Sequence, residues 1–334
     1  MSSIYNFFAG PAMTNEGPEP PLPPPAPTPS GSSGTTGQSG WSSTTSMGPP
    51  SSLRGRTYIV TGAASGIGRA TAIHLASLGA HLALTDIDAE LGSETCQLIQ
   101  ATGSKIDVVF ATMDVTAWRD QNLPKTHSPP IARNGSETDH EAVVKLVRKF
   151  YGTFKRLDGL VNCAGVQLPS PLAHEAPADL MTKMLDVNVK GAYSFCQAFI
   201  APIMQQGEDW QAPVGGYAIV NVGSTASLRG TVQSTAYCAS KHALLGFSRS
   251  LALEYAAYNI RTNVVAPGFV STPSFHDHFS SDIVDQTEAE ATASVPMKRI
   301  AEAREVAHVI AFLLSVESSY VTGAVIPVDG GASV

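Results

Sequence analysis

Seven short β-rich runs alternate with segments of helical length along most of this 334-residue chain, and few folds accept that pattern. The runs are "TYIVTG" (57–62), "HLALTDID" (81–88), "DVVFATMDV" (107–115), "LDGLVNCAG" (157–165), "YAIVNVGS" (217–224), "IRTNVVAPG" (260–268) and "AVIPVDGG" (324–331). Apolar-periodic stretches fill the gaps, among them a long helix expected over 178–207 and another running from Ala236 towards Tyr258. Strands joined by helices point to an α/β fold, a single doubly wound domain with a seven-stranded parallel sheet. The ordered domain is expected over residues 53–334.

Two stretches break the rhythm. Residues 1–52 hold eleven of the 23 prolines, and their only charges are Glu16 and Glu19. Proline lacks the N–H that a helix or central strand needs, so a disordered N-terminal tail of polyproline II character is expected. Residues 117–138 read as an inserted polar loop. Neither signal peptide nor transmembrane run is evident, and the net charge of −7 argues against nucleic-acid binding. The four cysteines lack metal or disulfide spacing, so they are expected to be reduced and the protein cytoplasmic. Asn134-Gly135-Ser136 has the form of a glycosylation sequon, and without a secretory signal it is read as a polar loop.

The first strand runs directly into "TGAASGIG", residues 61–68, which opens a helix. Glycines there let the backbone approach a pyrophosphate, and a helix N-terminus offers N–H donors. The turn residues Gly62, Ser65, Gly66, Ile67 and Gly68 are thus candidates for holding a dinucleotide in a Rossmann fold. The second strand ends in Asp86, where a carboxylate can accept from an adenosine ribose and repel a 2′-phosphate. Asp88 adds charge, so NAD is expected over NADP.

"AYCASKHALLG" (236–246) puts Tyr237 and Lys241 four residues apart on one helical face. A tyrosine hydroxyl ordinarily titrates near 10, and a neighbouring ammonium lowers it, so the pair suits proton transfer.

Together with "MDV" (113–115), "NCAG" (162–165), "VNVKGAY" (187–193), "VNVGS" (220–224), "NVVAPGFVST" (263–272) and "TGAVIPVDGG" (322–331), these motifs make residues 53–334 resemble the short-chain dehydrogenase/reductase family. The resemblance implies a catalytic set of Asn188, Ser224, Tyr237 and Lys241. Tyr237 would be the acid–base, Lys241 its partner and a ligand of the nicotinamide ribose, Ser224 a donor to the substrate oxygen. Asn188 would hold a water in a proton relay. It implies cofactor contacts at Asp114, Val115, Asn162, Ala164, Gly165, Pro267, Gly268, Val270 and Thr272. Cys163 and Gly223 depart from the family's usual Asn and Ser. The expected reaction moves a hydride between NAD(H) and a secondary alcohol or ketone. Alternatives are an NADP(H)-dependent carbonyl reductase, or a non-catalytic NAD(H)-binding scaffold recruiting partners through its proline-rich tail.

The substrate pocket is expected from Val166, Leu168, Leu172, Leu228, Phe275 and Phe279, with a flap over 273–296, and suits a mostly apolar small molecule. Arg229 is a candidate for its mouth. His276, His278, His174 and Glu175 are read as flap or surface residues, and no metal is expected. The resemblance also implies a homotetramer with no membrane partner.

Overall fold

The computed structural model describes residues 53–116, 139–206, 212–273, 275 and 284–334. The expected tail lies outside these residues, as do the expected insert, His276, His278 and Phe279.

In chain order the main elements are β1 (Thr57–Thr61), α1 (Gly66–Ser77), β2 (His81–Asp86), α2 (Ala89–Ala101) and β3 (Val108–Thr112). Then come α3 (Asp139–Phe154), β4 (Gly159–Asn162), α4 (Leu180–Leu185), α5 (Ala192–Met204), β5 (Tyr217–Val222), α6 (Thr235–Tyr255) and β6 (Ile260–Pro267). The chain continues through β7 (Val270–Ser271), α7 (Val284–Ser294), β8 (Ala301–Glu302), α8 (Ala303–Leu314) and β9 (Val325–Val328). The main sheet runs β3-β2-β1-β4-β5-β6-β9, with every pairing parallel. The two-residue strands β7 and β8 form a separate parallel pair.

Strand alternation divides the core in two. Tyr58, Val60, Leu82 and Leu84 face one way, with Leu75 of α1 and Ile310 of α8. Ile59, Ala83, Leu160 and Ile219 face the other, with Phe150 of α3 and Phe195 and Phe199 of α5. Burial on both faces explains why these strands read as nearly unbroken apolar runs. Strand order reverses between β1 and β4, and such a switch point opens a crevice at the carboxyl ends of the strands. Among the described residues, no helix is long and apolar enough to cross a membrane.

One element differs from expectation. The long helix over 178–207 is interrupted at Asp186–Gly191 by a π-helical turn, between α4 and α5. The apolar periodicity is nearly continuous there, so nothing in it marks one residue too many per turn. π-turns of this kind concentrate at functional sites, and this one carries Asn188.

Candidate active site

A cavity of about 510 Å³ opens at the carboxyl ends of β1, β4 and β5. One wall is the turn after β1. Gly62 has φ +65°, and a Cβ there would lie 2.7 Å from the Ala164 nitrogen. A Cβ on Gly68 would lie 1.9 Å from the Gly62 carbonyl oxygen. Backbone fills both spaces, so the turn closes tightly only with glycine. Ser65 precedes α1 in an extended conformation, and its side chain makes no cap bond. The first N–H groups of α1 therefore face the cavity beside Gly62, Ser65, Gly66, Ile67 and Gly68. This cradle fits the pyrophosphate of a dinucleotide.

Asp86 lines the same cavity. Its carboxylate accepts from the N–H groups of Ala64 (2.9 Å) and Asp88 (3.0 Å), which hold it at the end of β2. Asp88 accepts from the Leu91 N–H and caps α2, so its charge serves that helix. The nearby Arg69 donates to the Ala64 carbonyl and pairs with Glu94 at 2.8 Å, and among the described residues Asp86 has no ion pair. Asp114 and Val115 line the cavity after β3, with the Asp114 carboxylate accepting from Thr116. Ala164, Gly165, Pro267, Gly268, Val270 and Thr272 also line it.

Asn162 does not. Its side chain is buried beneath the sheet, where Nδ2 donates to Asn221 Oδ1 at 2.8 Å and to the Ala192 carbonyl at 3.3 Å. Asn221 in turn donates to Ser248 Oγ at 2.8 Å. As the last residue of β4, Asn162 points to the α5–α6 side, and the chain turns into the crevice only from Cys163. Asn162 therefore ties two strands to the helix carrying Tyr237.

Asn188 also acts at one remove. Wholly buried in the π-turn, it donates to the Val166 carbonyl (2.9 Å) and Ser240 Oγ (3.0 Å) and accepts from the Val166 N–H (2.8 Å). Its amide clamps the segment after β4 against α6.

Ser224 and Tyr237 meet in the cavity wall. Ser224 Oγ accepts from the Ala226 N–H at 3.1 Å and lies beside the Tyr237 phenol, whose pKa it lowers. Lys241 Nζ donates to the Val222 carbonyl at 2.9 Å and sits 5.7 Å from the Tyr237 ring centre. Burial pushes the Lys241 ammonium down to about 8. The lysine therefore remains mostly charged at neutral pH.

The tyrosine departs from expectation. Burial raises its pKa above the ordinary 10, and Ser224 only partly offsets this. Desolvation outweighs a lysine whose proton is directed at a backbone carbonyl. Cys163, which also lines the cavity, is pushed up to about 12 by burial and stays a thiol. All four cysteines are free.

Of the expected pocket residues, Val166 and Phe275 line the cavity and Arg229 stands in its wall. Leu168 instead packs with Leu180, Met184 and Ala236 behind Tyr237. Leu172 and Leu228 are exposed and do not line it. His174 pairs loosely with Glu175 on the surface, at 3.6 Å. Phe269 and Ala332 line the cavity without having been anticipated. Phe269 stands inside the "PGFV" motif between two residues expected to touch the cofactor; Ala332 carries no sequence signal. A smaller cavity, about 220 Å³, surrounds the Arg156–Asp158 ion pair at the opposite end of β4.

Comparison with known proteins agrees with this geometry. Residues 56–127 match the family model for short chain dehydrogenase, and residues 131–333 the model described as Enoyl-(Acyl carrier protein) reductase. An uncharacterized oxidoreductase of Thermotoga maritima is 33% identical across 84% of this chain and 99% of its own length. A levodione reductase of Leifsonia aquatica is 30% identical across 87% of this chain and 98% of its own. A crystal structure of levodione reductase, 30% identical, superposes with a TM-score of 0.72 over 84% of this chain and 98% of that one. The NAD-bound structure of a 3-oxoacyl-acyl-carrier-protein reductase from Brucella melitensis, 27% identical, superposes with a TM-score of 0.68 over 85% and 93%. The chain belongs to the short-chain dehydrogenase/reductase family, oxidoreductases that act on CH–OH donors with NAD(P).

Proposed function

We propose that this protein interconverts a secondary alcohol and a ketone on a mostly apolar small molecule, with NAD(H) as cofactor. The observation that carries this reading is the Tyr237 phenol, beside Ser224 and Lys241, in one cavity with the glycine cradle. A nicotinamide bound here supplies or accepts the hydride. Tyr237 gives the reacting oxygen its proton in reduction and takes it in oxidation. Ser224 orients that oxygen. Lys241 keeps positive charge next to the phenol, and Asn188 positions the wall around them. Val166, Ala226, Phe269 and Phe275 give the substrate end an apolar surface.

Asp86 supports NAD over NADP. A 2′-phosphate at the end of β2 would meet a carboxylate fixed by two backbone N–H groups, with Arg69 engaged by Glu94. Titration with NADH and NADPH, followed by nicotinamide fluorescence, is expected to show NADH binding at least 10-fold tighter. Asp86→Ala should close most of that gap. Equal discrimination before and after the substitution would remove the basis for choosing NAD, and preference for NADPH would reverse it.

The four free cysteines fit a cytoplasmic location. Tyr193 on α5 and Leu253 on α6 face outward, with Leu253 85% exposed, and suit burial in a homotetramer. Light scattering of the purified protein at the mass of one chain would remove the tetramer.

A further inference from the structure

The cavity is lopsided in charge. Its lining holds two carboxylates, Asp86 and Asp114, and two cations, Lys241 and Arg229. The carboxylates follow β2 and β3, at the end assigned to the adenosine. Lys241 is spent on the Val222 carbonyl and lies beside Tyr237. Arg229 is different. It is exposed where the cavity opens to solvent; its backbone N–H donates to the Thr225 carbonyl at 3.2 Å, but its guanidinium has no ion pair or hydrogen bond among the described residues. Arg69, Arg156, Arg299 and Arg304 each hold a carboxylate, whereas Arg54, Arg148 and Arg249 hold none among the described residues but lie away from the cavity.

Its place in the fold says what it faces. Ser224 caps the single 3-10 turn Thr225–Ser227, and Arg229 leaves that turn two residues later. The residue beside the Tyr237 phenol and the residue that carries the unpaired guanidinium thus share one rigid corner after β5. The glycine cradle follows β1 and Ser224 follows β5, with β4 between, so these two strand ends stand about 10 Å apart. Arg229 therefore belongs to the half of the cavity that follows β5, with Ser224. Gln167, Thr231 and Ser234 add polar groups to the same lining. A guanidinium presents paired donors that match a planar carboxylate.

We propose that Arg229 is a specificity-determining anion site, and that the substrate is a ketone or secondary alcohol carrying a carboxylate. This rests on the oxidoreductase reading above and narrows it: an apolar skeleton, a reacting oxygen at Tyr237 and Ser224, and a carboxylate at Arg229.

The test uses acetoacetate and levulinate, each against its neutral methyl ester, with NADH as reductant. In the wild-type protein kcat/KM should favour the acid by at least about 10-fold. In Arg229→Gln the acid-over-ester ratio should fall about 10- to 100-fold, chiefly through KM, as for a lost charge-assisted hydrogen bond. Arg229→Lys should retain part of it. A merely structural role would move acid and ester together and leave the ratio fixed. Calorimetry of the same four compounds on the protein–NAD⁺ complex, which has no hydride to give, provides a readout independent of turnover. Ketone reduction without acid preference overturns the anion site and leaves the oxidoreductase reading standing. Acid-selective binding that depends on Arg229, with no reduction of any ketone, keeps the anion site and overturns that reading. Failure of either acid to bind overturns the anion site.

Discussion

Tyr237→Phe is expected to lower kcat about 10³-fold while the dissociation constant for NADH changes less than about twofold. The size follows from what the substitution removes. A positioned general acid–base contributes typically 10²–10⁴ in rate, and here the phenol lies beside Ser224 and Lys241 in the cavity wall. The small binding change follows from what is left. The ring still packs in the cluster of Leu180, Met184 and Ala236. Ser224 keeps the Ala226 N–H, and Lys241 keeps the Val222 carbonyl. The glycine cradle lies on the far side of β4 and is untouched. Single-turnover reduction and nicotinamide fluorescence read the two quantities separately. Retained turnover would show that the proton moves through another group. Lost NADH binding would show that Tyr237 is a structural support of the cofactor site.

The parts of this protein that were legible in its sequence are those set by local, repeating constraints. A strand buried on both faces needs apolar residues at successive positions, so β1, β2 and β5 could be read within one or two residues. The glycine turn was legible because only one residue type tolerates a backbone oxygen at that distance. What failed depended on direction and depth. Asn162 stands in a motif associated with cofactor, yet strand alternation turns its amide under the sheet. Leu172 and Leu228 are apolar and near the site in sequence, but their loops carry them to the surface. The π-turn at Asp186–Gly191 was hidden because apolar spacing hardly distinguishes it from an α-turn. The Tyr237 shift was read with the wrong sign because the sequence shows the nearest charge, Lys241, and not the packing that removes water from the phenol.

That contrast between backbone fit and chemical identity makes Gly68→Ala the more severe test of the cradle. One added methyl group would sit 1.9 Å from the Gly62 carbonyl oxygen and 2.7 Å from its carbon. Neither is the end of a flexible side chain. Gly62 cannot retreat, because it already lies against the backbone of Ala164, and its φ of +65° favours glycine. The first turn of α1 must therefore move outward and take its N–H groups away from the anion position. NADH affinity is expected to fall at least about 100-fold, close to 3 kcal/mol of binding free energy, with a lower melting temperature. Gly152→Ala separates this from a general effect of the substitution. Gly152 lies in α3 with nothing within 4 Å of the added methyl, so alanine should stabilise the protein by about 0.5–1 kcal/mol and leave NADH affinity alone. Wild-type NADH affinity in Gly68→Ala would mean that the dinucleotide does not rest on this turn, and the cofactor assignment would lose its structural footing even with Tyr237 in place.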